Sequence, residues 1–247
     1  MTRTLFACDI DNTLICSRKH PHAGWRCVEW IHDEEHAFMP PAAEALLGRA
    51  SRALCTVLVT SRSIEQYGRL RLPGGPPAAV TANGADLLVN GQPDPAWRAE
   101  TEALLAPWRE ELRRCHERLK YSDRYIRCRM VDDAYLFVYC RGDVDPVGEA
   151  RAISERTGLA VAASGKKIYL LPPPLNKGSA FARLMERFGC ARGIAAGDSA
   201  MDLPMLRAAD AAILPATLAD AAPEGAYVCP AGRSFPEFAL ETAIRLA

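Results

Sequence analysis

Asp9 and Asp11 stand one residue apart, directly after the apolar run Leu5-Phe6-Ala7-Cys8. Carboxylates at the mouth of a buried strand repel each other and lose hydration. They stay ionised there only where a cation or a bound phosphate network compensates them. A lone Asp at such a place does no more than cap a helix or shape a turn. Here three later stretches add partners. The apolar run Ala53-Leu54-Cys55-Thr56-Val57-Leu58-Val59 ends in Thr60-Ser61-Arg62. Asn176-Lys177-Gly178 opens a helical stretch after Pro172-Pro173-Pro174. Gly193-Ile194-Ala195-Ala196 ends in Gly197-Asp198-Ser199-Ala200-Met201-Asp202. In open α/β sheets, ligands sit at the carboxyl ends of strands. An Asp-x-Asp pair, a hydroxyl, a lysine and a second Asp pair make an inventory for handling phosphate and a divalent cation. Each member has a bland account when taken singly: Thr60 ends a strand, Lys177 is an ordinary exposed lysine, Asp198 and Asp202 cap a helix. Their occurrence together, in order, favours chemistry.

The set DIDNTL (9–14), VTSRS (59–63), NKGSA (176–180) and GDSAMDLPML (197–206) resembles the four motifs of the haloacid-dehalogenase-like (HAD) superfamily. More narrowly it is similar to the large-cap phosphatases of the Cof-type and sucrose-phosphate phosphatase groups. Thr81-Ala82-Asn83-Gly84-Ala85 matches the segment that precedes the cap in those groups. A weaker likeness, through the R-C-V-E and E-Q-Y-G-R-L segments, is to HAD proteins of tellurite-resistance-type gene clusters, and it supplies no substrate. Asn12 stands where Gly is usual; Asn tolerates left-handed backbone, so activity is not expected to suffer.

The resemblance implies roles, position by position. Asp9 is the nucleophile, forming an aspartyl-phosphate. Asp11 protonates the leaving oxygen and then takes a proton from water. That second carboxylate separates a phosphatase from a dehalogenase, since halide departure needs no acid. Thr60 and Lys177 meet the phosphoryl oxygens. Asp9, the backbone carbonyl of Asp11, and Asp198 hold Mg²⁺. Asp202, expected one helical turn past Asp198, orients Lys177 or a metal-bound water. Ser61, Arg62 and Asn83 are candidates for substrate contact, with backbone-shaping or surface roles as the alternative for Arg62 and Asn83. The expected function is a Mg²⁺-dependent phosphomonoester hydrolase acting on a small polar phosphate such as a sugar phosphate. The rivals are a phosphosugar mutase and a non-catalytic phospho-metabolite-binding protein.

The elements that must position these groups follow from periodicity. Strand and helix patterns alternate to residue 85, with a helix over Pro40–Ala53, in which Ala43, Leu46, Leu47 and Ala50 fall at helical spacing. A helix over Ser63–Leu72 ends at Pro73-Gly74-Gly75-Pro76-Pro77. The rhythm then changes. Trp97–Lys120 reads as one long amphipathic helix. Arg124–Val131 and Tyr135–Arg141 alternate with period two around Asp132-Asp133, a hairpin signal. Asp145–Thr157 is a helix, and Leu159–Ala163 and Lys167–Leu171 a second strand pair. This helix-strand-strand order, given twice, matches the αββ-αββ cap that the resemblance implies. The expected architecture is α/β: a Rossmann-like core with a mostly parallel sheet over 1–85 and 172–247, and an inserted α+β cap over 86–171 that carries substrate specificity.

Alternation also assigns faces within the cap. Ile126, Cys128, Met130, Leu136, Val138, Cys140, Ile168 and Leu170 are expected to pack on the cap helices. Tyr125, Arg127, Arg129, Tyr135, Phe137, Tyr139, Lys167 and Tyr169 then form a basic, aromatic face. Aromatic rings suit sugar faces and Arg suits anionic groups, so Arg127 and Arg129 are candidate substrate contacts. The alternative for this face is a homodimer interface.

Composition bounds the rest. At 247 residues the chain holds one large or two small domains, and 49% hydrophobic content builds a sizeable core. Zero net charge argues against nucleic acid or an anionic membrane as the main partner. No apolar run reaches the length of a membrane span, and the N-terminal one is too short for a signal peptide. Nine cysteines, an odd count without CxxC spacing, point to a reducing cytoplasm. Finally, His32-Asp33-Glu34-Glu35-His36 fits the H-x-x-E-H metal motif. That chemistry needs a helix, whereas the flanking runs Arg26–Ile31 and His36–Met39 predict a hairpin with solvated histidines at its tip.

Overall fold

The computed structural model describes residues 3–20, 23–76 and 78–247; Pro77, the last residue of the expected helix-breaking run, lies outside them. In chain order the elements are β1 (Arg3–Cys8), β2 (Cys16–Ser17), β3 (Arg26–Ile31), β4 (Glu34–Met39), α1 (Pro41–Ala53), β5 (Cys55–Val59), α2 (Ile64–Gly68), β6 (Ala78–Thr81), β7 (Asp86–Val89), β8 (Gln92–Pro93), α3 (Pro95–Leu105), α4 (Arg109–Leu119), β9 (Tyr125–Val131), β10 (Tyr135–Cys140), α5 (Pro146–Ser154), β11 (Ala160–Ser164), β12 (Lys167–Leu171), α6 (Lys177–Arg187), β13 (Cys190–Ala196), α7 (Leu203–Ala208), β14 (Ala211–Pro215), β15 (Tyr227–Cys229) and α8 (Phe235–Arg245).

The chain folds as α/β in two compact units, Met1–Asp94 with Lys177–Ala247, and Pro95–Asn176. The first is built on an eight-stranded sheet of order β15-β14-β13-β1-β5-β6-β7-β8, parallel from β15 to β6. β1 lies at its centre with every residue from Leu5 to Cys8 buried, as a parallel strand covered on both faces requires. Ala43, Leu47 and Ala50 of α1 and Ala239, Leu240 and Ala243 of α8 join Phe6 and Leu58 in the main apolar cluster. A separate three-stranded hairpin sheet, β2-β4-β3, follows β1. Its β3–β4 turn puts His32 and Asp33 at φ 51 and 64, which is hairpin-turn geometry; His32 is exposed in that turn, whereas His36 lies half-buried within β4, and neither is on a helix.

Several elements differ from expectation for identifiable reasons. The core sheet does not stop at residue 85. Ala82 and Asn83 adopt φ 48 and 59, which reverses the chain so that β7 returns antiparallel along β6, from Thr81↔Asp86 to Ala78↔Val89. The first unit therefore runs to Asp94. The helix expected over Ser63–Leu72 is only the five-residue α2. The long helix expected over Trp97–Lys120 is interrupted by a 3-10 turn at Ala106–Trp108, where Pro107 has no N–H to donate. α8 had no counterpart among the expected elements.

The second unit is α+β, with an antiparallel sheet of order β11-β12-β10-β9. One face packs on Leu112, Cys115 and Leu119 of α4 and on Ala150 and Ile153 of α5. The expected face assignment holds along β10 and β12 and fails at the start of β9. Tyr139 pairs with Arg127 but Cys140 pairs with Tyr125, so Ile126 is an extra residue in a bulge. The bulge turns Tyr125 into the helix-packed cluster and leaves Ile126 62% exposed. Tyr125 there donates its hydroxyl to Glu149 of α5. Burial and the Glu149 carboxylate push the Tyr125 phenol up. The opposite face keeps Arg129 over Phe137, with the guanidinium 5.8 Å from the ring centroid, and Phe137 edge-on to Tyr169 at 5.6 Å. Among the described residues no helix is long and apolar enough to cross a membrane.

This bulge separates two substitutions that strand alternation alone would treat alike. Leu136→Ala should cost about 2–5 kcal/mol, the range for a large-to-small change in a packed core. Ile126→Ser should change stability by no more than about 0.5 kcal/mol, as exposed sites do. Urea denaturation of the two variants measures the contrast; equal losses would place Ile126 inside.

Candidate active site

The C-terminal ends of β1, β5 and β13 lie side by side, since β1 pairs with β5 through Cys8↔Leu58 and with β13 through Cys8↔Ala196. Residues that follow these strands therefore start from one edge of the sheet. Asp9 is anchored at its backbone, where its N–H donates to Ala196 O at 2.9 Å. Leu14 N and Ile15 N donate back to Ile10 O, closing a tight turn whose bend needs left-handed backbone at Asn12, φ 59. Asn is among the few side-chain-bearing residues that adopt this readily. Its amide also works against the upward push on the Asp198 carboxyl, which a glycine would not do.

Lys177 is the first residue of α6, and the whole side chain is buried. Its Nζ lies 2.5 Å from Asp9 Oδ1 and 2.5 Å from Asp202 Oδ1. The second Asp9 oxygen accepts from Thr13 Oγ1 at 3.1 Å. Two glycines make this convergence possible by close approach. A Cβ on Gly178 would meet Pro204 O at 2.7 Å, and one on Gly197 would stand 2.4 Å from Asp202 Cβ. Asp198 and Asp202 are not one helical turn apart, as expected. Residues 198–202 form a turn, and α7 begins only at Leu203. Asp202 Oδ2 accepts from Asp198 N at 3.2 Å, Ser199 N at 2.9 Å and Ser199 Oγ at 2.7 Å, so this carboxylate holds the turn while its other oxygen holds Lys177.

Asp9, Asp198 and Asp202 each offer an oxygen within 4.8 Å of the others. Asp202 takes Lys177 on one oxygen and three donors on the other, whereas Asp9 takes a single donor on each, so Asp9 and Asp198 keep more lone pairs for a cation. Three carboxylates face one ammonium. Burial pushes Asp9 up, and the Lys177 charge does not offset it together with the repulsion from Asp202, Asp198 and Asp11. Burial and the Asp202 carboxylate raise Asp198 to about 6. Lys177 is pushed up: Asp202 and Asp9 outweigh the cost of burying its charge. The site is thus short of positive charge, and hard oxygen donors suit a hard divalent cation such as Mg²⁺.

The remaining candidates fall in three groups. Thr60 is buried after β5; its N–H donates to Val80 O at 2.9 Å and its Oγ1 accepts from Arg62 N at 3.1 Å. Ser61 is half-buried beside it. Asn83 N donates to Thr60 O at 2.9 Å, so this buried residue adjoins the same strand end, and its Nδ2 has no hydrogen-bond partner. Asp11 is drawn away from the carboxylate cluster by Arg62, whose Nε and Nη2 donate to Asp11 Oδ2 and Oδ1 at 2.9 and 2.7 Å. Arg62 also donates to both oxygens of Glu29 and, from Nη1 at 3.4 Å, to Gln66 O, so all five N–H groups are engaged. Burial works against its charge, but the bonds to Asp11 and Glu29 push Arg62 up. Arg127 and Arg129 belong to the sheet face of the second unit opposite its helices, Arg127 exposed and Arg129 half-buried. Sequence reasoning missed Thr13, Ser199 and Glu29. Glu29 had a signal: one acid inside the otherwise apolar stretch Cys27-Val28-Glu29-Trp30-Ile31.

No family model and no curated protein matches the sequence. Solved structures do match the fold. A sucrose-phosphatase from Synechocystis sp. PCC6803, solved with sucrose and phosphate, aligns with a TM-score of 0.64 at 17% identity over 100% of this chain and 98% of its own. A HAD subclass IIB sugar phosphatase aligns with a TM-score of 0.61 at 14% identity, covering 99% and 98%. A trehalose-6-phosphate phosphatase related protein aligns with a TM-score of 0.58 at 20% identity, covering 98% and 97%. The chain therefore has the fold of HAD superfamily phosphatases across its length, with the Rossmann-like core that fold implies.

The charge shortage has a measurable sign in metal-free protein. A carboxyl raised from 3.8 to about 6 on folding is protonated in both states below pH 4. As pH rises towards 6 the unfolded chain ionises first, and stability is lost. Asp198→Asn should therefore gain on wild type as pH rises from about 4 to about 6, with no further gain above. Urea titrations in chelator across that range test it; a constant difference would show that Asp198 is not raised.

Proposed function

We propose that this chain is a Mg²⁺-dependent phosphomonoester hydrolase that works through an aspartyl-phosphate on a small polar phosphate such as a sugar phosphate. One observation carries the reading: Asp9 is buried at a strand end with Lys177 Nζ 2.5 Å from one oxygen and Asp198 within cation-sharing distance. An acid so placed has no evident structural use that a neutral residue would not serve better.

Asp9 attacks phosphorus, a new O–P bond forms, and the ester P–O bond breaks with its electron pair on the leaving oxygen. Asp11 gives that oxygen its proton, so the product leaves as an alcohol. In the second half water attacks the same phosphorus and Asp11 takes its proton. The Asp9–phosphorus linkage breaks, returning a carboxylate and inorganic phosphate. Lys177 is placed to neutralise the phosphoryl oxygens, and the Thr60 hydroxyl to hydrogen-bond one of them. Asp202 keeps Lys177 directed at Asp9. Mg²⁺, held by Asp9, Asp198 and the backbone carbonyl of Asp11, would offset phosphoryl charge and align nucleophile with phosphorus. Ser61 and Asn83 are candidates for substrate contact at the core. Arg127 and Arg129 of the second unit, which serves as the specificity-bearing cap in this reading, are candidates for an anionic or sugar portion.

Purified protein should release inorganic phosphate from a panel of phosphate monoesters in Mg²⁺ and lose that activity in chelator. Asp9→Asn should remove turnover. Asp11→Asn should slow alkyl phosphates by about 10²–10⁴-fold, the usual worth of a general acid. Isomerisation of a hexose phosphate without phosphate release would establish the mutase instead. Tight binding without turnover would establish the non-catalytic reading. Separately, Arg127→Ala and Arg129→Ala should raise KM for the preferred substrate at least several-fold while sparing p-nitrophenyl phosphate. Unchanged kcat/KM across the panel would remove these two from the substrate site.

A further inference from the structure

Glu29 is buried, 1% exposed, in a hairpin sheet whose remaining charged side chains reach solvent or half-burial. Burying a carboxylate costs several kcal/mol unless it is paired and hydrogen-bonded. The strand is bent to achieve this burial. Cys27 pairs with Phe38 and Glu29 with Ala37, so Val28 is an extra residue, and the next pair, Trp30↔Glu35, restores the count on the other strand. Cys27, Val28 and Glu29 are consequently all buried in succession, which plain alternation forbids. The strand is also tied to the core, because Arg71 N donates to Val28 O at 2.8 Å.

The buried acid meets two arginines. Arg62 Nη1 and Nη2 donate to its two oxygens at 2.7 and 2.9 Å, and Arg69 Nε approaches Oε1 at 3.4 Å. Arg62 uses its remaining edge to hold both oxygens of Asp11. A planar guanidinium with carboxylates on two edges cannot rotate about its own bonds without losing one of the forks. Glu29, 18 residues away in sequence, therefore bears on the orientation of Asp11 through Arg62.

We infer that Glu29 is a positioning residue for the acid–base step: by locking the Arg62 guanidinium it sets where the Asp11 carboxyl points when the leaving oxygen departs. This inference rests on the phosphatase reading and adds to it a residue with no contact to the reacting atoms. Its consequence is selective. A nitrophenolate leaves as an anion and needs no proton, whereas an alkoxide must be protonated as it leaves. Misplacing Asp11 therefore hurts alkyl esters more than aryl ones, while a general loosening of the site hurts both alike.

The test compares kcat on glycerol 3-phosphate with kcat on p-nitrophenyl phosphate in Mg²⁺, for wild type, Glu29→Gln and Arg62→Lys, each checked for folding by its thermal transition. Glu29→Gln keeps the shape but removes the charge that fixes Arg62. Arg62→Lys keeps a charge beside Glu29 but cannot fork to two carboxylates, and it serves where Glu29→Gln does not fold. The alkyl-to-aryl ratio should fall at least tenfold in each folded variant, carried by kcat with KM little moved. A ratio unchanged from wild type, or a loss carried by KM alone, overturns the inference while leaving the phosphatase reading intact. A wild type that releases phosphate from no ester of the monoester panel defeats that reading, and the positioning role goes with it.

Discussion

The site depends on a single buried ammonium among carboxylates. Lys177 lies within 2.5 Å of two of them, and without it Asp9 and Asp202 would be unpaired acids in the interior. One positive charge does not balance three negatives, so the core is built with a deficit, visible in the upward push on Asp9 and Asp198. Such a deficit costs stability and favours whatever brings positive charge to it. A cation that binds there gains free energy from relieving the repulsion as well as from coordination.

The backbone is shaped around this deficit. Gly178 and Gly197 sit where any side chain would collide, one with Pro204 and the other with Asp202. They allow α6 and the 198–202 turn to close on the end of β1. Asn12 bends the chain after Asp9 so that Asp11 leaves the cluster instead of adding a fourth carboxylate to it. Asp11 is then balanced separately, by Arg62, which Glu29 balances in turn. Two charge systems thus stand at one sheet edge. One carries excess negative charge around Asp9; the other alternates acid and base from Asp11 through Arg62 and Glu29 to Arg69.

The core candidates were legible in the sequence because each is a short local signal: a polar residue immediately after an apolar strand, or a lysine at a helix start. Asp9, Thr60, Lys177 and Asp198 fall in such places, and the parallel order β13-β1-β5 brings their strand ends together. Signals failed where geometry breaks period. The bulge at Ile126 exchanges the faces of two residues, and the bulge at Val28 buries an acid that alternation does not mark. Pro107 breaks a helix whose amphipathic pattern runs on across it, and the left-handed pair Ala82-Asn83 adds an antiparallel strand to the core.

What the sequence by itself determined is therefore the list of chemical groups, the α/β order and the insertion of a second unit, because these follow from local spacing and hydrophobic period. Which carboxylates crowd around Lys177, which one is held apart on Arg62, and that Glu29 pairs with that arginine were decided only by the tertiary structure. The reason is physical. Coulombic pairing acts across space between segments tens of residues apart, and a one-residue bulge, nearly invisible in composition, is enough to choose which side chain enters that space.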